Sequence, residues 1–113
     1  MNMEGLAAVG FVFTDKENEE AEIEITNQLF TIQKYSQLYN WNVLAVVSSW
    51  STDEGYEELL RILDEVPILM LVVSKPLHSF KYYEELQQRL DEKGICATTI
   101  NPKRETAITL ITS

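Results

Sequence analysis

Cysteine is nearly absent. A single Cys96 allows no disulfide within the chain, and a reducing compartment is expected. There is one histidine, His78, and no cysteine or second histidine stands near it at metal-ligand spacing. The four glycines form no phosphate-cradling loop, since Gly5 and Gly10 precede or lie within an apolar run. No stretch approaches the ~20 consecutive apolar residues that span a bilayer. Glu4, with no basic residue, stands ahead of the first apolar run, the opposite of a signal peptide's charge, so a cytoplasmic location is expected. Positive charge is scarce as well. Nine Lys and Arg face eighteen Asp and Glu, a formal net charge of −9, and the cations are scattered, Lys103-Arg104 being the closest pair. Phosphate contacts dominate nucleic-acid affinity, so direct nucleic-acid binding is not expected. A protein partner is, either a basic one or a second copy in a homodimer.

What is present suits a globular domain. Hydrophobic residues make up 45% and charged residues 24% of the 113 positions. A chain of this size buries roughly two thirds of the surface its unfolded form exposes. Residues 1–113 therefore read as one domain, with no linker, repeat or low-complexity segment.

Two periodicities alternate along it. Residues 5–13 (GLAAVGFVF), 41–49 (WNVLAVVSS), 67–73 (PILMLVV) and 95–100 (ICATTI) are apolar or β-branched runs that predict strands. Residues 106–112 (TAITLIT) are expected to add an edge strand. Between the runs lie helical patterns. Over 18–40, Asn18 is the expected N-cap, and Ile25, Leu29, Ile32 and Tyr39 the expected inner face. Six acids from Asp15 to Glu24 suit the positive end of that helix's dipole. Ser51-Thr52-Asp53-Glu54 opens a shorter helix carrying Tyr56, Leu59, Leu60 and Leu63. A third helix is expected over 78–93, with Phe80, Tyr83, Leu86 and Leu90 inward and Gly94 ending it. The order βαβαβαβ predicts an α/β fold of three layers, a mostly parallel sheet of four to five strands with helices on both faces. Ligands bind such sheets at the carboxyl ends of the strands. Thr14-Asp15, Ser48-Ser49-Ser51 and Ser74-Lys75 gather there, with His78 just beyond.

Each polar residue has a plain reading beside a chemical one. Ser74 and Lys75 could form a nucleophile pair, but neighbours on a strand point to opposite faces, and a strand end with a solvated lysine is expected. His78 reads as a water-exposed residue, and Cys96 as a small core residue. Thr14 and Asp15 with Ser48 or Ser49 could hold a small ligand. Tyr82 and Tyr83 are adjacent on a helix and cannot both face the core, while Trp50 lies in a polar loop. With Tyr56 and Phe80 they are the candidate protein contacts, since exposed aromatics anchor interfaces. The acids of residues 17–24 would steer a basic partner.

The order of these segments resembles the catalytic domain of the serine recombinases, the resolvase–invertase family, over about residues 7–101. LFTIQKYSQLYNWNVLAVV is similar to the family's first helix and second strand, with Gln28, Ile32, Tyr35 and Trp41 at matching spacings. DEGYEELLRIL, PILMLVVSK and FKYYEELQQRLDEKGICATTIN resemble the segments that follow, including a strand ending on a lysine. The resemblance implies a resolvase-like fold and a setting in a bacterium, plasmid or phage.

The family's reactive residues are replaced. Its first strand ends in Tyr-x-Arg-Val-Ser, whose serine attacks DNA and whose arginine binds phosphate. Here Phe11 stands for the tyrosine and Phe13 for the arginine, and Asp15, or Thr14 if the turn is shortened, takes the serine's place. The family's Asp-Arg-x-x-Arg corresponds to SKPLHSF, which keeps Lys75 but brings no arginine, leaving Ser74 and His78 as degenerate positions. Phosphodiester attack needs fixed positive charge around the transition state, and removing even one such donor costs on the order of a hundredfold in rate. The family's long dimer helix and helix-turn-helix domain have no counterpart before Ser113. The expectation is a catalytically inactive, non-enzymatic relative with no cofactor and no metal, acting as a regulatory protein-binding module. The alternative is small-molecule binding or a repurposed enzyme at the strand ends.

Overall fold

The structure, a computed structural model, describes residues 6–100. The edge strand expected over 106–112 and the Lys103-Arg104 pair lie outside the described residues. Four strands form one sheet: β1 (Ala7–Phe13), β2 (Asn42–Ser49), β3 (Met70–Val73) and β4 (Cys96–Thr99), in the order β2-β1-β3-β4 and parallel throughout. The connections run through α1 (Asn18–Tyr39), α2 (Glu54–Glu65) and α3 (Tyr83–Lys93), with a short 3-10 turn at Leu77–Ser79 ahead of α3.

Side chains alternate across a strand, and β1 feeds two cores in that way. Ala8 and Val12 pack with Ile25, Ile32 and Tyr35 of α1, joined by Met70 and Val72 of β3. Val9, Phe11 and Phe13 pack on the other face with Tyr56, Leu59 and Leu63 of α2 and Leu86 and Leu90 of α3. Both faces of the central strands are thus covered, which is why their sequences read as unbroken apolar runs. Gly10 leaves room on the α1 face, since a Cβ there would sit 3.2 Å from Ile32 and from Val46. Gly55 is more constrained: a Cβ there would fall 1.8 Å from the Ser48 carbonyl oxygen. Only glycine lets α2 start this close to the end of β2.

Several sequence expectations are corrected. The inner face of α1 is Ala21, Ile25, Gln28, Ile32, Tyr35 and Ser36, while Leu29 and Tyr39 are exposed. Asn18 makes no side-chain cap; its φ of 57° lies in the left-handed region, which asparagine tolerates. The third helix begins at Tyr83 rather than residue 78, because Phe80 is extended (φ −79°, ψ 138°) and drives its ring into the core. The strands over 67–73 and 95–100 are shorter than expected, and Cys96 is exposed. Cys96 pairs in register with Met70, on the α1 side, but β4 is the sheet's edge and α1 packs over β1, β2 and β3.

Candidate functional site

From β1 the chain passes through α1 to β2, and from β2 through α2 across to β3 on the opposite flank. The carboxyl ends of β1 and β3 therefore diverge at a switch point, where doubly wound sheets carry their ligands. A cleft of about 360 Å³ opens there, lined by Thr14, Asp15, Lys16, Ser49, Trp50, Lys75 and Lys81 among others.

Divergence of β1 from β3 would leave backbone groups of β1 unpaired. The β1–β3 ladder ends at Gly10 and Val72, and Thr14 N–H, one residue past Phe13, reaches Ser49 of β2 at 3.4 Å. Gln28 supplies what the missing strand cannot. Phe13 N–H donates to Gln28 Oε1 at 3.0 Å, and Gln28 Nε2 donates to Phe13 O at 2.6 Å. Both bonds are buried, so a helix side chain fixes the direction in which β1 delivers Thr14 to the cleft.

Charge in the cleft is balanced locally. Glu24 on α1 sits 2.7 Å from Lys75 and 3.6 Å from Lys16. Burial would push its carboxyl up, but the Lys75 ammonium, Thr14 and Lys16 together hold it below the usual carboxylate range. Lys75 also lies 5.5 Å from the centre of the Phe13 ring. Asp53, just ahead of α2, takes Lys81 at 2.7 Å and accepts from the Tyr82 hydroxyl at 2.7 Å. Those two donors hold Asp53 below its ordinary value, and the Asp53 contact pushes both Lys81 and Tyr82 up. Each lysine lining the cleft is thus ion-paired to a carboxylate.

The expected site residues separate. Thr14, Asp15, Ser49, Trp50 and Lys75 meet at the cleft. Ser74 instead lines a neighbouring groove with Asn27, Gln28 and Thr31. His78 is exposed, its ring 6.5 Å from that of Tyr83. Phe11 and Phe13 are core residues, their rings 5.1 Å from Phe80, which in turn lies 5.2 Å from Tyr56. Phe80 was expected both inward and, with Tyr56, as a protein contact; the inward placement holds, and the contact reading of both is corrected, because this aromatic cluster is buried and closes the core beneath the cleft. The Tyr56 hydroxyl donates to Glu85 at 2.6 Å, and burial, reinforced by that carboxylate, pushes the phenol well up. Trp50, Tyr82 and Tyr83 are half-buried. Among the described residues, no group of three or more His, Cys, Asp and Glu could hold a metal ion, and no helix is long and apolar enough to cross a membrane.

Sequence reasoning missed Lys16 and Lys81 as cleft residues, Glu24 as the partner of Lys75, and the clamp role of Gln28. Only Gln28 left a signal, a lone amide between Ile25 and Ile32 on one helical stripe.

No protein-family model matches this chain, and no curated protein matches it in sequence. Among solved structures, it is similar to the C-terminal catalytic domain of ISC1926 TnpA, an IS607-like serine recombinase. The TM-score is 0.71 at 11% identity, over 95% of this chain and 80% of that one. The fold is that of a serine recombinase catalytic domain.

Proposed function

We propose that this chain carries a serine recombinase fold without strand-cleaving chemistry and acts as a regulatory module that binds protein. The observation that carries this reading is the state of Phe11 and Phe13. In the resemblance they stand where the family has its tyrosine and its phosphate-binding arginine, and here both rings are sealed against Phe80. The cations left at the cleft are spoken for by Glu24 and Asp53. A phosphate arriving there would have to break those pairs to find the donors its transition state needs. Meanwhile large apolar side chains lie open to solvent on α1, Phe30 at 70% and Ile23 at 62% exposure, as interface anchors do. Trp50, Tyr82 and Tyr83 remain contact candidates at the cleft rim; Tyr56 and Phe80 do not.

The test is incubation of purified protein with supercoiled plasmid carrying native flanking DNA. No nicked or recombined product is expected. Nicked circles that disappear in Asp15→Ala or Thr14→Ala protein would overturn the inactive reading. A second reading is kept for the cleft itself, whose volume and hydroxyls suit a small polar ligand. It requires a metabolite-induced thermal shift that Lys75→Ala abolishes.

A further inference from the structure

Helix α1 is apolar on two faces. Its inner face packs on the sheet, yet Ile23 and Phe30 point away from it. Seven residues separate them, which at about 100° and 1.5 Å per residue sets them in one line, about 10 Å apart along the axis. Glu19 stands four residues before Ile23, and Lys34 four residues after Phe30. All four are exposed, and neither Glu19 nor Lys34 makes an ion pair among the described residues. The outward stripe therefore reads acid, apolar, apolar, base at 19, 23, 30 and 34, symmetric about the midpoint between Thr26 and Asn27.

That order is its own complement when reversed. We infer that α1 is a homodimer interface, two copies crossing antiparallel about a two-fold axis at Thr26 and Asn27. Ile23 then meets the partner copy's Phe30, and Glu19 meets its Lys34, each twice, as an isologous contact demands. The inference rests on the protein-binding reading and names the partner. The wider charge pattern favours the same orientation. Five acids lie between Glu17 and Glu24, while residues 25–40 hold no acid and one cation, Lys34. Parallel pairing would stack the acidic halves on each other; antiparallel pairing lays each against a half that carries only a lysine. A shallow groove lined by Lys16, Glu20, Ile23, Glu24 and Asn27 lies where the partner's Phe30 would seat.

The experiment is sedimentation velocity over a concentration series on the full chain. A contact of one helix pair belongs at the small end of specific interfaces, so dimerisation in roughly the micromolar range is expected. Phe30→Asp, an exposed change that should keep the thermal midpoint, should render the protein monomeric. Glu19→Lys and Lys34→Glu should each weaken association severalfold, and the double variant should restore it, which a merely structural role would not do. A dimer indifferent to Phe30→Asp overturns the inference, as does failure of the charge swap to rescue. A monomer at all concentrations that still binds some other protein overturns the dimer but leaves the protein-binding reading standing. A monomer that binds nothing sinks both.

Discussion

Replacing Gln28 by leucine tests whether a side chain really stands in for a strand. The substitution keeps the side chain's bulk on the buried face of α1 but removes both bonds to Phe13, at 3.0 and 2.6 Å. The Phe13 N–H and C=O would be left buried without partners, because the β1–β3 ladder has already ended at Gly10. An unsatisfied buried polar group costs about 1–3 kcal/mol, so two cost roughly 2–6. Leucine recovers part of this by sparing the cost of burying an amide, and the net loss should be about 2–4 kcal/mol. That is a large share of the ~5–15 kcal/mol typical of a domain, without exceeding it. Urea unfolding followed by the fluorescence of Trp41 and Trp50 reads the loss directly, as a lower midpoint at unchanged slope. Gln28→Glu should also destabilise, since a carboxylate can still accept from Phe13 N–H but can no longer donate to Phe13 O. If Gln28→Leu lies within about 0.5 kcal/mol of the original, the clamp is ornamental and Phe13 finds other partners.

Two further outcomes follow from the same geometry. Gly55→Ala places a methyl 1.8 Å from Ser48 O, so α2 must back away from β2; a loss of at least about 1–3 kcal/mol is expected by thermal melting, and a variant as stable as the parent would contradict the close approach. Glu24 has a carboxyl held below its ordinary 4.5, so its contribution is present above pH 4.5 and is lost as the pH falls through the lowered folded value. The stability gap between the parent and Glu24→Gln, at most about 1 kcal/mol after solvent screening, should be flat from pH 8 to about 5 and close below about 4.5. A gap that instead widens on acidification would show the sign to be wrong.

The strands were legible because β1 and β3 are buried on both faces, and nothing but an apolar run can satisfy that. The helix order and parallel sheet followed from the alternation. The phase of α1 was not legible, because the helix carries apolar residues outward at Ile23, Leu29 and Phe30 and polar ones inward at Gln28 and Ser36. Periodicity weighs residue type, and here type and environment disagree on both sides. Phe80 was legible as an inward residue but is no surface contact: it packs inward from the turn ahead of α3, where the rings of Phe11, Phe13 and Tyr56 close around it. The partner of Lys75 lies 51 residues earlier, and no local pattern joins Glu24 to it.

Gly10 bears on this in a way its position conceals. It touches nothing in the cleft, yet the absent side chain lets Ile32 settle onto the sheet, and Ile32 stands one helical turn from Gln28. The height at which α1 rides over β1 is therefore set beneath the helix, by a single hydrogen atom. A methyl added at Gly10 would press on Ile32 and Val46, and so on the helix that carries the Gln28 clamp, from a position remote from the strand ends.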